Sequence, residues 1–294
     1  ILYDVYSRFV QGDPIPDDHL SAILVFIAKS SPENPADVNI ATPGNVRPLC
    51  LSQCATKLIT SAVTRKLNHV ATVCTDTRQR GFVPGRQITS NIVDVETGAL
   101  AYDMLSRQLS GVLLTHFGAA FPSLLPAWIL FVLTRMGLPV WVLAFIRGLY
   151  KHVCVGIRYK GEVWDGIWIR RGIRQGCPAS GILFALACDP VFRFLADRAA
   201  GASCIFRAYA DDLAIVIRCL RTTIPRLAVA FKGIGDAIGL HLKLPKCVIV
   251  LLGESTAEVV NNICLAHAPE WSAIKVSRDA LYLGAFIGPD AHIR

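Results

Sequence analysis

Residues 205–217, IFRAYADDLAIVI, contain two apolar runs separated by a pair of adjacent aspartates, Asp211 and Asp212. The alternating runs predict a β-hairpin with its turn at Ala210-Asp211-Asp212. Two neighbouring carboxylates at a tight turn repel each other, so a cation or a basic side chain is expected beside them. Oxygen ligands on a rigid turn suit Mg²⁺, which usually takes one or two carboxylates together with substrate phosphates. A plain Asp-rich turn is the structural alternative.

Strands and helices are predicted on both sides of this hairpin. A second hairpin is expected over 153–176, with its turn at Lys160-Gly161, and a turn-rich loop over 31–45. A strand, a turn and a helix are expected over 111–125. Further strands are predicted at 21–29, 242–253 and 280–288, and further helices at 51–70, 90–105, 180–199 and 223–239. The mixed order predicts an α+β fold.

The amino-acid composition indicates which kinds of partner the chain binds. The 294-residue chain carries a net charge of +8, which favours a polyanion such as nucleic acid. Apolar residues make up 53% and charged residues only 18%, so surface buried against protein partners is expected. The most apolar stretch, 124–146, is interrupted by Arg135 and two prolines, and neither half reaches the roughly 18–20 residues of a membrane span.

Ten cysteines show no CxxC pair, and most lie in apolar runs. They are interpreted as reduced core residues in a reducing intracellular compartment, organellar or nuclear, and no zinc site is expected. The chain begins at Ile1 without Met, so it is interpreted as a fragment or processed product, and any targeting peptide lies outside it.

Seven blocks follow one another along the sequence. They are VRPLCLSQCATKLI (46–59), QRGFVPGRQITSNI (79–92), GVLLTHFGAAFPSL (111–124), RRGIRQGCPASGILFAL (170–186), AYADDLAIV (208–216), IGLHLKLPKCVIV (238–250) and YLGAFIG (282–288). In this order they resemble the reverse transcriptase domain of non-LTR retrotransposons, whose primer-grip block is similar to 282–288. The resemblance implies a right-hand polymerase fold, with fingers at 1–110 and a palm at 111–294 that holds a fingers insertion near 139–170. The thumb and the upstream endonuclease of such elements are expected to be largely or wholly missing from this chain.

The resemblance also implies roles for single residues. Two Mg²⁺ ions would clamp the attacking and leaving oxygens, with Asp211 and Asp212 as two of three ligands. Lys246 matches the residue that neutralises the leaving pyrophosphate. Four residues match positions that contact the incoming nucleotide, namely Arg47 at the triphosphate, Phe121 under the sugar, and Gln175 and Gly176 in a close-packed loop. Surface charge for Arg47 and Lys246, and a core position for Phe121, are the alternatives.

The third ligand is where the chain departs from the family. The family's first palm motif is D-x-x-x-A-F-D, and here residues 116–122 read HFGAAFP, so His116 stands at the bridging carboxylate. Neutral imidazole is a poor Mg²⁺ ligand, although one His with two carboxylates could form a Mn²⁺ or Zn²⁺ site. The interpretation preferred here is that His116 hydrogen-bonds to Asp211 or Asp212 and neutralises the pair without metal.

Three functions are compatible with this pattern. The first is a catalytically inactive reverse-transcriptase-like domain, a pseudoenzyme that binds RNA or an RNA/DNA duplex or acts as a structural subunit of a larger ribonucleoprotein assembly. The second is an active RNA-directed DNA polymerase, weak or Mn²⁺-dependent, and the third is a decayed element copy without a selected role. Under the first, a basic surface would contact phosphates. Its expected residues are Arg78, Arg80, Arg86, Arg170, Arg171 and Arg174.

Overall fold

Eleven β-strands and ten α-helices lie along the part of the chain that the computed structural model describes, residues 2–11, 13–28, 46–105, 108–151, 153–199 and 204–293. The α+β class is therefore confirmed. The chain divides into two compact units, one formed by residues 1–67 and 124–183 and the other by 68–123 and 184–294. Residues 68–110, which the sequence assigned to the fingers, thus cluster with 111–123. The assignment of fingers and palm stays a prediction, and the loop expected at 31–45 lies outside the described residues.

A four-stranded sheet forms the centre of the first unit. Its strand order is β2 (Val46–Ser52), β1 (Ala22–Ala28), β4 (Val153–Tyr159) and β5 (Glu162–Ile169). Strands β4 and β5 form the predicted hairpin, and Lys160 and Gly161 at its turn have φ values of 50° and 88°. Strand β2 has no counterpart in the sequence prediction. Its Pro48 lowers the β signal, and the strand is tolerated because it lies at a sheet edge.

Helices of the first unit include α1 (Leu2–Val10), α2 (Asp17–Leu20), α6 (Pro126–Arg135) and α7 (Val140–Leu149). Helix α6 begins at Pro126, where proline's missing N–H costs nothing, and α7 begins directly after Pro139. These two helices occupy the apolar stretch 124–146. Among the described residues, no helix has the length and apolar composition of a membrane span.

The second unit is built on a five-stranded sheet. Its order is β6 (Ile205–Tyr209), β7 (Asp212–Ile217), β3 (Ser110–His116), β8 (Val248–Leu252) and β9 (Lys275–Ser277). Strand β3 is central and pairs antiparallel with β7 and β8. One face is covered by α4 (Ile88–Leu105) and by a small hairpin, β10 (Ala280–Tyr282) with β11 (Ala285–Ile287). Val95, Val112, Val216, Val250 and Ile287 are among the buried side chains of this layer.

Aromatic side chains pack between the opposite face and the remaining helices. Phe206 of β6 meets Phe192 of α8 (Ser180–Ala199) with ring centroids 6.0 Å apart. Phe231 of α9 (Leu220–Ile238) contacts Phe117 at 6.0 Å and also Trp271. Full burial of one such side chain stabilises the fold by about 1.5–3 kcal/mol. The contact between Phe231 and Phe117 packs α9 against the end of the sheet where β3 ends.

The single strand predicted at 280–288 is wrong, because these residues form the hairpin of β10 and β11. Most remaining boundaries differ from the predictions by a few residues. Helix α3 (Cys54–Cys74) contributes to both units, and α5 (Ala120–Ser123) is a single turn. The strand predicted from 242 begins only at Val248, because Leu244–Lys246 form a 3₁₀ turn around Pro245. Helix α10 (Ala257–His267) was not predicted from the sequence.

Candidate active site

His116 and Asp212 face each other at the end of the central sheet. His116 is the last residue of β3, Asp212 is the first of β7, and the two are direct partners in the antiparallel register. Cross-strand partners present their side chains on the same face. The Nδ1 atom of His116 lies 3.4 Å from Oδ1 of Asp212, a long hydrogen bond, and both side chains are partly exposed. The contact between His116 and the aspartate pair is therefore present.

Asp211 lies in the turn between β6 and β7, after Ala210, whose φ is 56°. Burial, and next the neighbouring charge of Asp212, raise the pKa of the Asp211 carboxyl above its ordinary value. His116 acts in the opposite direction but contributes least. The fold thus holds an acid whose ionised form is disfavoured, as expected for a buried carboxylate beside a second one.

We expect Asp211→Asn to raise the free energy of unfolding at neutral pH. Because the native pKa lies above the unfolded value near 3.8, the folded chain binds more protons than the unfolded chain in the window between them. The stability of the native chain therefore falls as pH rises through this window, and the asparagine variant escapes that loss. Urea unfolding at several pH values measures the difference, which should shrink toward the acidic end.

The matched control is Asp236→Asn, at an exposed carboxylate of α9 that pairs loosely with Lys232 at 3.7 Å. Exposed pairs of this kind contribute little, so this variant should change stability slightly at any pH. Equal changes in the free energy of unfolding for the two variants at neutral pH would contradict the claim that the fold disfavours the ionised Asp211 carboxylate.

Gln79 clamps the turn, a role that the sequence analysis missed. Its side chain is 1% exposed. Oε1 accepts from the backbone N–H of Ala210 at 3.1 Å and of Gly81 at 2.7 Å, and Nε2 donates to the Ala210 carbonyl at 3.2 Å. Residues 78–80 also bond to Ala208 of β6 through two backbone hydrogen bonds of 2.9 Å. The only sequence signal was the position of Gln79 within the 79–92 block.

Phe121 belongs to an aromatic cluster in the same unit. Its ring stacks on Phe184 with centroids 4.5 Å apart and an interplanar angle of 15°. Phe82, itself half-exposed, meets the Phe121 ring edge-on at 5.8 Å. Phe121 is only partly buried, so one part of the ring stays accessible beside a rigid aromatic support. A role under the sugar of a nucleotide stays a prediction.

The segment that carries Lys246 returns to the end of β3. The Lys243 N–H donates to the His116 carbonyl at 2.8 Å, and the His116 N–H donates to Sγ of Cys247 at 3.4 Å. Lys246 itself is exposed at the end of the 3₁₀ turn. The structure thus brings the lysine's segment to His116, while contact of Lys246 with a pyrophosphate stays a prediction.

Three of the residues predicted to contact the incoming nucleotide, Arg47, Gln175 and Gly176, lie in the first unit. Arg47 is exposed on β2, and Cys50 of the same strand donates its N–H to the Gln175 carbonyl at 2.7 Å. Gly176 has a φ of 102°, and a Cβ there would lie 2.6 Å from the Cys50 carbonyl oxygen. The close packing expected of this loop is present, and its use for nucleotide binding stays a prediction.

Three of the predicted nucleic-acid contacts, Arg78, Arg80 and Arg86, already bind protein groups. Arg78 pairs with Asp76 at 2.8 Å and Arg80 with Asp94 at 2.7 Å. Arg86 donates to three backbone carbonyls within residues 75–79. These contacts stabilise the loop around Gln79. Phosphate binding by the three arginines stays a prediction, and it would have to compete with them.

The other three predicted contacts differ in exposure. Arg170 and Arg171 are exposed directly after β5. Arg174 is only 7% exposed; its guanidinium lies 5.7 Å from the centroid of the Tyr150 ring and reaches the Leu20 carbonyl at 3.5 Å. Arg170 and Arg171 can therefore contact a phosphate in solution, whereas the guanidinium of Arg174 is buried against protein groups.

The donor set at the turn does not match a two-metal centre. Asp211 and Asp212 offer oxygen ligands, but the position where the family resemblance predicts a bridging carboxylate holds the His116 imidazole, a nitrogen donor unsuited to Mg²⁺. Across the described ranges, no three His, Cys, Asp or Glu side chains are arranged to hold a metal ion. A mixed Mn²⁺ or Zn²⁺ site at His116 stays a prediction, which this arrangement does not support.

A comparison with known protein families identifies the family of this chain. Residues 27–286 match the family described as Reverse transcriptase (RNA-dependent DNA polymerase). The chain belongs to this family. The reverse transcriptase match covers well over half of the chain and includes β3, the aspartate turn and the clamp at Gln79.

Relatives of this reverse transcriptase domain include two polyproteins of retrotransposable elements. The chain is 25% identical over 292 residues to the Retrovirus-related Pol polyprotein from type-1 retrotransposable element R2 of Bradysia coprophila, covering 95% of this chain and 32% of that one. It is 26% identical over 224 residues to the corresponding polyprotein from type-2 element R2DM of Drosophila melanogaster, covering 74% and 20%. The chain thus spans a third or less of these relatives' length. The predicted relationship to non-LTR retrotransposons is confirmed.

The fold is also that of a solved telomerase. The apo telomerase from Candida tropicalis truncated from its C-terminal domain superposes with a TM-score of 0.62, at 10% identity, over 97% of this chain and 57% of that one. At this identity the likeness concerns the fold alone. It confirms the predicted right-hand polymerase fold.

Proposed function

We propose that this reverse transcriptase domain is catalytically inactive and binds RNA as a subunit of a larger ribonucleoprotein assembly. One observation carries the proposal: His116 stands opposite Asp212 and contacts its carboxylate at 3.4 Å, where the family has a third metal-binding acid. A site that needs three negative ligands retains two, and loss of one essential electrostatic element costs about 10²–10³-fold or more in rate.

Retention of nucleic-acid binding is supported by charge and by exposed arginines. The chain carries 30 Lys and Arg against 22 Asp and Glu. Arg47, Arg170 and Arg171 are exposed and can form bidentate contacts with phosphates. A telomerase of the same fold, from Candida tropicalis, was solved in complex with a fragment of telomeric RNA. Exposed apolar side chains, including Phe131, Val140 and Met104, support protein partners in the assembly.

An active polymerase is the second candidate. The two turn acids are retained, and Gln79 holds the turn through two hydrogen bonds to Ala210. This candidate predicts metal-dependent nucleotide incorporation, weak or dependent on Mn²⁺.

Two measurements on the native chain separate the candidates. Primer extension on an RNA template, with Mg²⁺ and separately with Mn²⁺, is expected to be silent, while structured RNA binds with an affinity that falls as salt rises. Extension that is abolished by Asp211→Ala would establish the polymerase instead. Silence together with no affinity for structured RNA would contradict RNA binding and leave a decayed copy as the remaining interpretation.

A further inference from the structure

Two adjoining cavities open between α6, α7 and the end of β5 in the first unit. The larger has a volume of about 360 Å³ and is mainly apolar, with Ile129 and Leu130 of α6 facing Ile146 of α7. The smaller has a volume of about 10 Å³ and extends toward Arg174. Both are lined by Pro126, Tyr150 and Lys151, so the smaller one continues the larger.

Two side chains that line the small cavity carry buried hydrogen-bond donors without a partner. The Arg174 side chain is only 7% exposed. Its Nη2 atom is buried without a hydrogen-bond partner among the described residues. The hydroxyl of Tyr150 is also buried and has no partner in good hydrogen-bond geometry among the described residues, although Ser180 and Cys177 lie close enough to influence its pKa. An unsatisfied buried donor is costly, most of all when it is charged, and native structures normally provide it with a partner. Burial holds the pKa of Tyr150 well above its usual range, so the hydroxyl keeps its proton and can donate.

The walls of the two cavities carry cations and no acid within the described part of the chain. Arg147 and Lys151 line the larger cavity, and Lys151, Arg170, Arg171 and Arg174 line the smaller. The four arginines among these residues give the opening a positive potential, which a low-dielectric wall strengthens. The ligand that fits is an anion that can also fill an apolar groove.

From this geometry we infer a binding site for a nucleoside phosphate, either free or at the end of a single RNA strand. A cavity of about 10 Å³ admits one water-sized atom, so a single phosphoryl oxygen enters it and accepts from Tyr150 and Arg174. Arg170 and Arg171 contact the remaining oxygens at the mouth. The base and sugar occupy the apolar groove, as an aromatic ring does in pockets of this size. The inference deepens the proposed RNA binding, and it rests on that proposal only where RNA supplies the phosphate.

The probes are adenosine 5′-monophosphate, adenosine, inorganic phosphate, and a short single-stranded RNA with either a 5′-phosphate or a 5′-hydroxyl. Titration calorimetry on the native chain should show binding of the monophosphate and no binding of adenosine. Tyr150→Phe removes one hydroxyl and keeps the ring, and it should weaken binding about five- to tenfold. Arg170→Ala with Arg171→Ala should weaken it further and reduce the slope of affinity against salt by about two.

The matched control is Arg65→Ala with Lys66→Ala, which removes two exposed positive charges from α3. It should leave monophosphate binding unchanged.

If Tyr150→Phe and the Arg170 and Arg171 variant bind every probe as the control does, the site is overturned, whereas RNA affinity of the native chain would still support the proposed function. Monophosphate binding that depends on Tyr150, without RNA affinity, upholds the site for a free nucleotide and refutes the RNA-binding role. A 5′-phosphate preference upholds the RNA source, and binding of inorganic phosphate equal to that of the monophosphate excludes the apolar groove from the site.

Discussion

His116→Asp is expected to convert a silent chain into one that extends a primer in Mg²⁺, with a gain of at least about 10²–10³-fold over the native background. The residue is the direct register partner of Asp212, so an aspartate there would present a third carboxylate on the same face of the sheet. Three oxygen donors at this position match the hard ligands that Mg²⁺ requires, which the imidazole does not. The measurement is primer extension on an RNA template.

The same substitution should make stability depend on the cation. The pKa of Asp211 is already raised by burial and by Asp212, so another acid nearby adds repulsion in the absence of metal. The variant should therefore unfold at a lower temperature than the native chain without Mg²⁺. Added Mg²⁺ should raise that temperature more in the variant than in the native chain, because a ligand that binds only the folded state stabilises it.

A second substitution separates repair of the site from other effects. Asp211→Ala in the His116→Asp background should abolish both the extension and the Mg²⁺-dependent stabilisation. Mg²⁺-dependent stabilisation without extension would mean that His116 accounts for metal binding and that catalysis needs more than its repair. If neither property appears in His116→Asp, then His116 is not the reason for the inactivity proposed here.

Gly81→Ala is expected to destabilise the second unit by about 2–4 kcal/mol, near the upper end of the cost of overpacking. A Cβ at this position would lie 2.1 Å from the backbone nitrogen of Ala210 and 2.8 Å from its Cα. Both neighbours are backbone atoms of the aspartate turn, so no side chain can rotate away. The turn or the 78–81 segment must shift, and the two hydrogen bonds between Gln79 and Ala210 are lost with it. Urea unfolding measures the loss of stability.

The matched control is Gly233→Ala, in the middle of α9, where a Cβ meets nothing within 4 Å. Alanine is preferred to glycine inside a helix, so this variant should gain about 0.5–1 kcal/mol. The two substitutions add the same methyl group, and only the surroundings differ. A Gly81→Ala variant as stable as the native chain would show that the 78–81 segment does not pack against the turn as described.

Much of the fold could be predicted because it depends on local patterns. The turn at Asp211 lies between alternating apolar runs, and Lys160-Gly161 supplies the positive φ values of the other hairpin. Where the prediction failed, a tertiary contact overrode a weak local signal. Strand β2 contains Pro48 and is stabilised by its pairing with β1, and the 3₁₀ turn at Leu244–Lys246 replaces a strand that the apolar pattern favoured.

The candidate site divides in the same way. The aspartate turn and the contact of His116 with the aspartate pair could be predicted, since motif order places these residues together. The partners of the arginines could not. Arg86 turns toward backbone carbonyls and Arg174 toward Tyr150, although both belong to sequence blocks that suggested a nucleic-acid surface.

The amino-acid sequence by itself determined the family, the α+β class, the aspartate turn and the histidine beside it, because these depend on residue identity and order. Only the tertiary structure decided that Gln79 clamps Ala210 across 131 residues, and that Arg174 and Tyr150 lie with unsatisfied donors beside an apolar groove. The physical reason is that a polar side chain bonds to whichever distant backbone group or cavity the packed fold leaves within reach. That choice follows from how the elements pack and is not encoded in the local pattern around the residue.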